Sequence, residues 1–211
     1  MALISVEFAA LDPNLLTEHA GRVVVFADEK LDAEARQLDV EMRGALARAL
    51  ESAAWEAVKP GEALTLAFPQ RLAASAVVMV RLPRRAPADL TRKAGATIGK
   101  GMTEAGAVIA AHGIRALPAL VEGLALRAYT WSMKSEPEKA PGAVTVVVED
   151  PEAARLDCAD MLSRAEAVHF TRDLVNDPAN VLTTTEFANR LEAMRDMGLE
   201  VEVLDEPALE K

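Results

Sequence analysis

Aromatic side chains are scarce: Phe, Trp and Tyr make up 4% of the 211 residues, although 51% of the chain is hydrophobic. Ala, Leu and Val must fill the core, which suits helices laid on a sheet better than an aromatic-rich β-sandwich. Cysteine is nearly absent; with Cys158 alone no internal disulfide can form, and a reducing compartment is expected. The histidines are His19, His112 and His169, with no two at the four-residue spacing of a helical metal site and no His-Glu-x-x-His. Each reads as an ordinary core or surface histidine. No apolar run approaches the ~20 residues of a membrane span. Met1 to Asp12 lacks the basic start of a secretory signal. A soluble, cytoplasmic protein with no membrane partner is expected.

Positive charge is also short. The formal net charge is −10, and residues 151–211 carry 14 Asp+Glu against 6 Lys+Arg, which puts most of the excess there. That shift predicts a boundary near Pro151. An acidic total disfavours nonspecific nucleic-acid binding by the surface as a whole.

What is present is periodicity. Ile4 to Phe8 alternates as a half-buried strand does, and Val23-Val24-Val25-Phe26 reads as a strand covered on both faces. Asp32 to Trp55 places apolar residues three and four apart and predicts one amphipathic helix ended by Lys59-Pro60-Gly61. Strands are predicted over Ala63 to Phe68, Ser75 to Leu82, Ala107 to Ala111 and Ala143 to Val148. Helices are predicted over Asp89 to Glu104 and from about Pro118 to Met133, with a polar loop from Lys134 to Gly142. The order β-β-α-β-β-α-β-α-β gives an α/β domain over 1–150 with a mixed sheet covered on both faces. The two strand pairs without an intervening helix are expected to be antiparallel. After Pro151 one long acidic helix runs to Val175, where Asp177-Pro178 stops it. Thr183 and Glu186 form a capping box for a helix carrying Phe187, Leu191 and Met194. Gly198 ends that helix, Leu199 to Leu204 alternates as a strand, and Glu206 to Lys211 starts another helix.

Few residues point to chemistry. Gly95-x-x-x-Gly99-Lys100-Gly101 looks like a phosphate loop, but a Walker loop needs four residues between the glycines and Ser or Thr after the lysine, and this segment sits inside a helical pattern. Cys158 has no basic neighbour to stabilise a thiolate. Asp157 and Asp160 lie three apart on a helix and read as a solvated surface. The basic stretch Arg81, Arg84, Arg85, Arg92, Lys93 and Lys100 reads first as a solvated face. Its functional alternative is a nucleic-acid contact through Arg84, Arg85 and Arg92, without the interleaved aromatics that stack single-stranded bases.

Two stretches resemble a known family. Val121-Glu122-Gly123-Leu124-Ala125-Leu126-Arg127-Ala128-Tyr129-Thr130-Trp131 is similar to the Glu-Gly-x-x-Leu-x-x-Tyr-x-Phe segment of cytosol-type leucyl aminopeptidases, with Trp131 in place of Phe and Lys134 matching a following lysine. Thr171 to Thr183, containing Asn176-Asp177-Pro178-Ala179-Asn180 and Thr183, resembles the Asn-x-Pro-x-Asn-x-x-Thr linker of that family. The resemblance implies a three-layer, macro-domain-like α/β domain at 1–150, a linker helix and loop at 151–182, and the helix-strand opening of a truncated catalytic domain at 183–211. It implies a parent enzyme, hexameric in the family, that removes N-terminal residues from peptides with two divalent metals, manganese or zinc. The family's metal-binding Lys, Asp and Glu lie after the linker, so no catalytic residue, metal ligand or cofactor is assigned to this chain. Alternatives from the binding class are a DNA-binding regulatory module and a macro-like module for a nucleotide derivative, the latter supported by the glycines around Gly99.

Overall fold

The computed structural model describes residues 3–134 and 139–209. The chain divides into two bodies, one running through His169 and the other from Phe170 onward.

The first body is built on a six-stranded sheet. Its strands are β1 (Val6–Ala10), β2 (Arg22–Ala27), β3 (Ala63–Ala67), β4 (Ala76–Arg81), β5 (Ala107–Ala110) and β6 (Val144–Val148), in the order β1-β6-β5-β2-β4-β3. Every pairing is parallel except β3 with β4. Strict alternation splits the core in two. Val24 and Phe26 of β2 face one side with Val78, Val80, Ile109 and Val146. Val23 and Val25 face the other with Val77, Met79, Val108 and Val147. Helices α1 (Pro13–Glu18), α2 (Ala33–Glu41), α3 (Ala45–Leu50) and α4 (Ala53–Glu56) cover the second face through Leu16, Leu38, Leu46 and Trp55. Helices α5 (Ala88–Lys100), α6 (Leu117–Arg127) and the early turns of α7 (Pro151–Asn176) cover the first through Ile98, Leu120, Leu124 and Ala165. The result is the three-layer α/β/α architecture with a mixed sheet.

Several expectations need correction. The helix predicted over Asp32 to Trp55 is three helices. Arg43 and Gly44 take positive φ (53° and 76°), and the Asp39 carboxylate accepts the Leu46 and Ala47 amides at 2.7 and 3.2 Å, starting α3 afresh. Ser52 then caps α4 at the Trp55 amide. Apolar spacing alone does not register such a break, because both sides keep their apolar face inward. The first strand pair is not antiparallel: α1 intervenes, and β1 lies at the sheet's edge beside β6, far from β2. The second pair, β3 and β4, is antiparallel as expected. Helix α6 ends at Arg127, short of Met133.

The glycines of α5 do not break it; they let it touch α6. A Cβ at Gly95 would stand 2.0 Å from the Leu120 carbonyl oxygen, one at Gly99 2.5 Å from that of Leu124, and one at Gly123 of α6 2.0 Å from that of Arg92. Backbone meets backbone here, so a side chain at any of these positions would push the helices apart.

In the second body α7 ends at Asn176, and Thr183 caps α8 (Thr184–Glu192) by accepting the Glu186 amide at 3.2 Å. Arg190 of α8 donates to Asp177 at 2.7 Å and Glu186 at 2.9 Å, tying the linker turn to the helix. A 3₁₀ turn (Ala193–Met197) follows, stopped by Gly198 at φ 89°, and α9 covers Glu206–Leu209. The alternating segment Leu199 to Leu204 joins no sheet. A strand needs a neighbour to satisfy its ladder, and none of the described residues supplies one.

Candidate functional site: an ionic cluster at the carboxyl ends of the strands

Four parallel strands, β2, β4, β5 and β6, end on the same side of the sheet. The residues that follow them converge. Asp32 and Glu34 open α2 after β2, Arg84 follows β4, His112 follows β5, and Glu149 directly follows β6. Glu34 is the hub, only 3% exposed. One of its carboxylate oxygens accepts from Arg84 Nη2 at 3.1 Å; the other lies 2.9 Å from His112 Nδ1. Arg84 Nε stands 3.3 Å from Asp32, and His112 Nε2 lies 3.4 Å from the exposed Glu149. Burial pushes the Asp32 carboxyl above the ordinary carboxylate value, and the nearby Arg84 only partly opposes that.

The position is informative. Helix α2 leaves β2 toward one face, whereas α5 and α6 leave β4 and β5 toward the other. Where connections part in this way, open α/β sheets form a ligand crevice. Here the crevice is filled by the chain's own ion pairs. Three carboxylates against Arg84 and one histidine make the cluster repel phosphate-bearing ligands rather than attract them. Two surface cavities lie elsewhere, of about 390 Å³ beside Met42, Arg48 and Leu66, and of about 300 Å³ beside Asn14, Gln37 and Arg71.

The three arginines singled out in the sequence are not one patch of free charge. Arg84 belongs to the cluster just described. Arg92 Nε donates to Glu122 at 2.6 Å and its Nη1 to Asp89 at 2.9 Å. These bonds, Glu122 first, hold the Arg92 guanidinium above its ordinary value. Arg85 is exposed. Of the neighbouring cations, Arg81 donates to the Val58 carbonyl at 2.8 Å and lies over Trp55, and Lys93 reaches Glu62 at 3.4 Å. Apart from Asp89, the acidic partners come from other elements, so sequence proximity made the stretch look more basic than it is.

The other candidates are structural. Glu122, buried, also lies 3.6 Å from Arg164, so the Glu-Gly of the first resembling segment anchors α6 by charge at one residue and by close approach at the next. His169 is buried with its ring 4.9 Å from Tyr129. Cys158 is buried, and burial with Asp157 nearby pushes its thiol up to about 11, which disfavours the nucleophilic thiolate. Gly95 and Gly99 are spent on helix packing, which removes the support they lent to a nucleotide-derivative site. Among the described residues no three His, Cys, Asp or Glu side chains are placed to hold a metal ion. The described residues therefore do not fit the divalent metals that the family resemblance implies. The hub Glu34 is not singled out by the sequence, and His112 reads there as an ordinary histidine. Their signal was positional: polar residues directly after apolar strands.

The fold belongs to the macro-domain-like α/β class. The macro domain of ganglioside induced differentiation associated protein 2 superposes with a TM-score of 0.53 at 12% identity, over 75% of this chain and 84% of that one. No family model matches the chain. Curated relatives do. A cytosol aminopeptidase of Cereibacter sphaeroides is 43% identical over 99% of this chain, and one of Dinoroseobacter shibae is 45% identical over 99%. Among solved structures, leucyl aminopeptidase from Leishmania major superposes with a TM-score of 0.61 at 16% identity, over 99% of this chain and 42% of that one. A tomato leucine aminopeptidase mutant gives 0.60 at 19% identity, over 92% and 42%. The chain is similar over nearly its whole length to these cytosol aminopeptidases, and it spans 43% of the length of the two.

Proposed function

We propose that this chain is the non-catalytic N-terminal portion of a leucyl aminopeptidase that removes N-terminal residues from peptides, with a dinuclear manganese or zinc centre carried by a C-terminal domain. On this reading residues 1–150 form the N-terminal domain, 151–182 the linker and 183–211 the opening elements of the catalytic domain, in a hexameric cytoplasmic enzyme. One observation carries it: identity of 43–45% over nearly the whole chain to proteins of which it spans less than half. The crevice filled by the chain's own ion pairs supports a structural role for this portion.

The test is a pair of assays on a leucine anilide with added manganese or zinc. The chain alone should give no turnover above a metal-only blank. Joined in frame to the remaining C-terminal part of the Dinoroseobacter shibae relative, it should yield a metal-dependent aminopeptidase. Turnover by the isolated chain that survives repurification would overturn the proposal, and so would a folded chimera without activity.

A further inference from the structure

Every parallel strand of the sheet has neighbours on both sides except β1, and the opposite edge is β3. Protected edges carry charges, prolines or covering segments. Strand β1 holds Glu7, whereas β3, Ala63-Leu64-Thr65-Leu66-Ala67, holds no charge and no proline. Its ends show which backbone groups point outward. Arg81 N–H donates to the Glu62 carbonyl at 2.9 Å while Gly61, at φ 81°, donates to the Arg81 carbonyl at 2.8 Å, a bulge that sets the register. At the other end Phe68 N–H donates to the Ser75 carbonyl at 2.8 Å. Because ladder bonds alternate along an antiparallel strand, Glu62, Leu64, Leu66 and Phe68 face β4. Ala63, Thr65 and Ala67 then turn their N–H and C=O groups to the open edge.

We propose that this edge pairs with β3 of a second copy of the chain, antiparallel about a twofold axis at Thr65, joining two sheets into one. The sequence reads the same in both directions, so the pairing sets Thr65 against Thr65, Leu64 against Leu66 and Ala63 against Ala67. Such self-complementarity is what an isologous interface requires. The residues turned outward are the ones that fall in hydrogen-bonded pairs in this register, so each exchanges both its backbone groups with its counterpart. One step further out Glu62 meets Phe68 of the other copy, so no like charges oppose, and Glu62 is held by Lys93. Phe68 stands 82% exposed at φ 47°, a conformation that a bulky side chain rarely adopts. Pairing covers it. An edge contact of this length is smaller than the ~1,600 Å² of a standard interface, so the dimer is a concentration-dependent one.

Sedimentation equilibrium on the chain and three variants decides the matter. The parent chain should shift toward twice its mass as its concentration rises. Thr65→Lys sets two ammonium groups face to face on the axis, on a side chain that is exposed. It should weaken association on the order of tenfold or more with an unchanged thermal midpoint. Thr65→Cys should form a covalent dimer on mild oxidation. Ala63→Cys should not, because its own counterpart lies about 13 Å away by strand rise, beyond the ~7 Å that a disulfide spans; Cys158 is buried and does not compete. A chain that stays monomeric to about 1 mM would overturn the proposal. So would a dimer indifferent to Thr65→Lys, which would locate the contact elsewhere, for example on the exposed apolar residues after Phe170. Equal cross-linking of the two cysteine variants would overturn the register.

Discussion

Asp32 carries a charge that burial penalises. Its carboxyl is raised above the ordinary 3.8 by burial, with Arg84 lowering it less than burial raises it. A raised folded value means that the native state binds more protons than the unfolded chain, so this group's contribution to stability grows as pH falls through the folded value. Asp32→Asn removes the penalised charge and makes no side-chain cap bond vulnerable, since Asp32 forms none. At neutral pH the variant should equal or exceed the parent by less than about 1 kcal/mol, and the difference should vanish as the pH nears about 4. Urea unfolding at the two pH values checks both the sign and the window. Glu34 offers the contrast. Its two oxygens are matched by Arg84 and His112, so Glu34→Ala should cost about 2–4 kcal/mol by leaving Arg84 facing Asp32 alone and His112 with only the exposed Glu149. Neither behaviour could be read from the sequence, because Arg84 and His112 lie 50 and 78 residues from Glu34.

At the scale of elements, most of the sheet was legible and most of its wiring was not. Val23 to Phe26, Val77 to Val80 and Val144 to Val148 announce themselves, because strands covered on both faces must be apolar throughout. The break at Arg43 and Gly44 did not, since the apolar face resumes in phase after it. Leu199 to Leu204 failed in the opposite sense: the alternation is there, but a strand is a property of two segments and the second is missing among the described residues. Its amides should therefore exchange with solvent far faster than those of Val77 to Val80 in hydrogen-exchange measurements, and equal protection would contradict the geometry. The glycines of α5 and α6 give a sharper test. Gly95→Ala gains up to ~1 kcal/mol of helix propensity, but its methyl group would sit 2.0 Å from the Leu120 carbonyl oxygen. Overpacking against backbone should leave a net loss of about 2 kcal/mol in urea denaturation. Gly198→Ala meets nothing within 4 Å and pays only for its positive φ of 89°, about 1 kcal/mol, without loosening α5 from α6.

For the whole molecule the charge decides what it will avoid. With a net −10 and with Arg84 and Arg92 committed to internal carboxylates, binding to duplex DNA should be weak at low salt and lost near physiological ionic strength. Arg85→Ala should abolish whatever remains; a titration that keeps its affinity through added salt would contradict this. The topology also imposes an order in time. Of the six strands β1 is made first, yet it pairs with β6, Val6 against Val144, and β6 is made last. At about 5–20 residues per second that partner arrives on the order of ten seconds later. β2, β4 and β5 can assemble meanwhile, but the N-terminal strand must wait as an open ribbon until the sheet is otherwise complete. Closing the far edge is thus the last event in building the sheet, with α7 laid on it afterwards, and a nascent chain stalled before residue 144 carries β1 exposed to whatever else the cell offers.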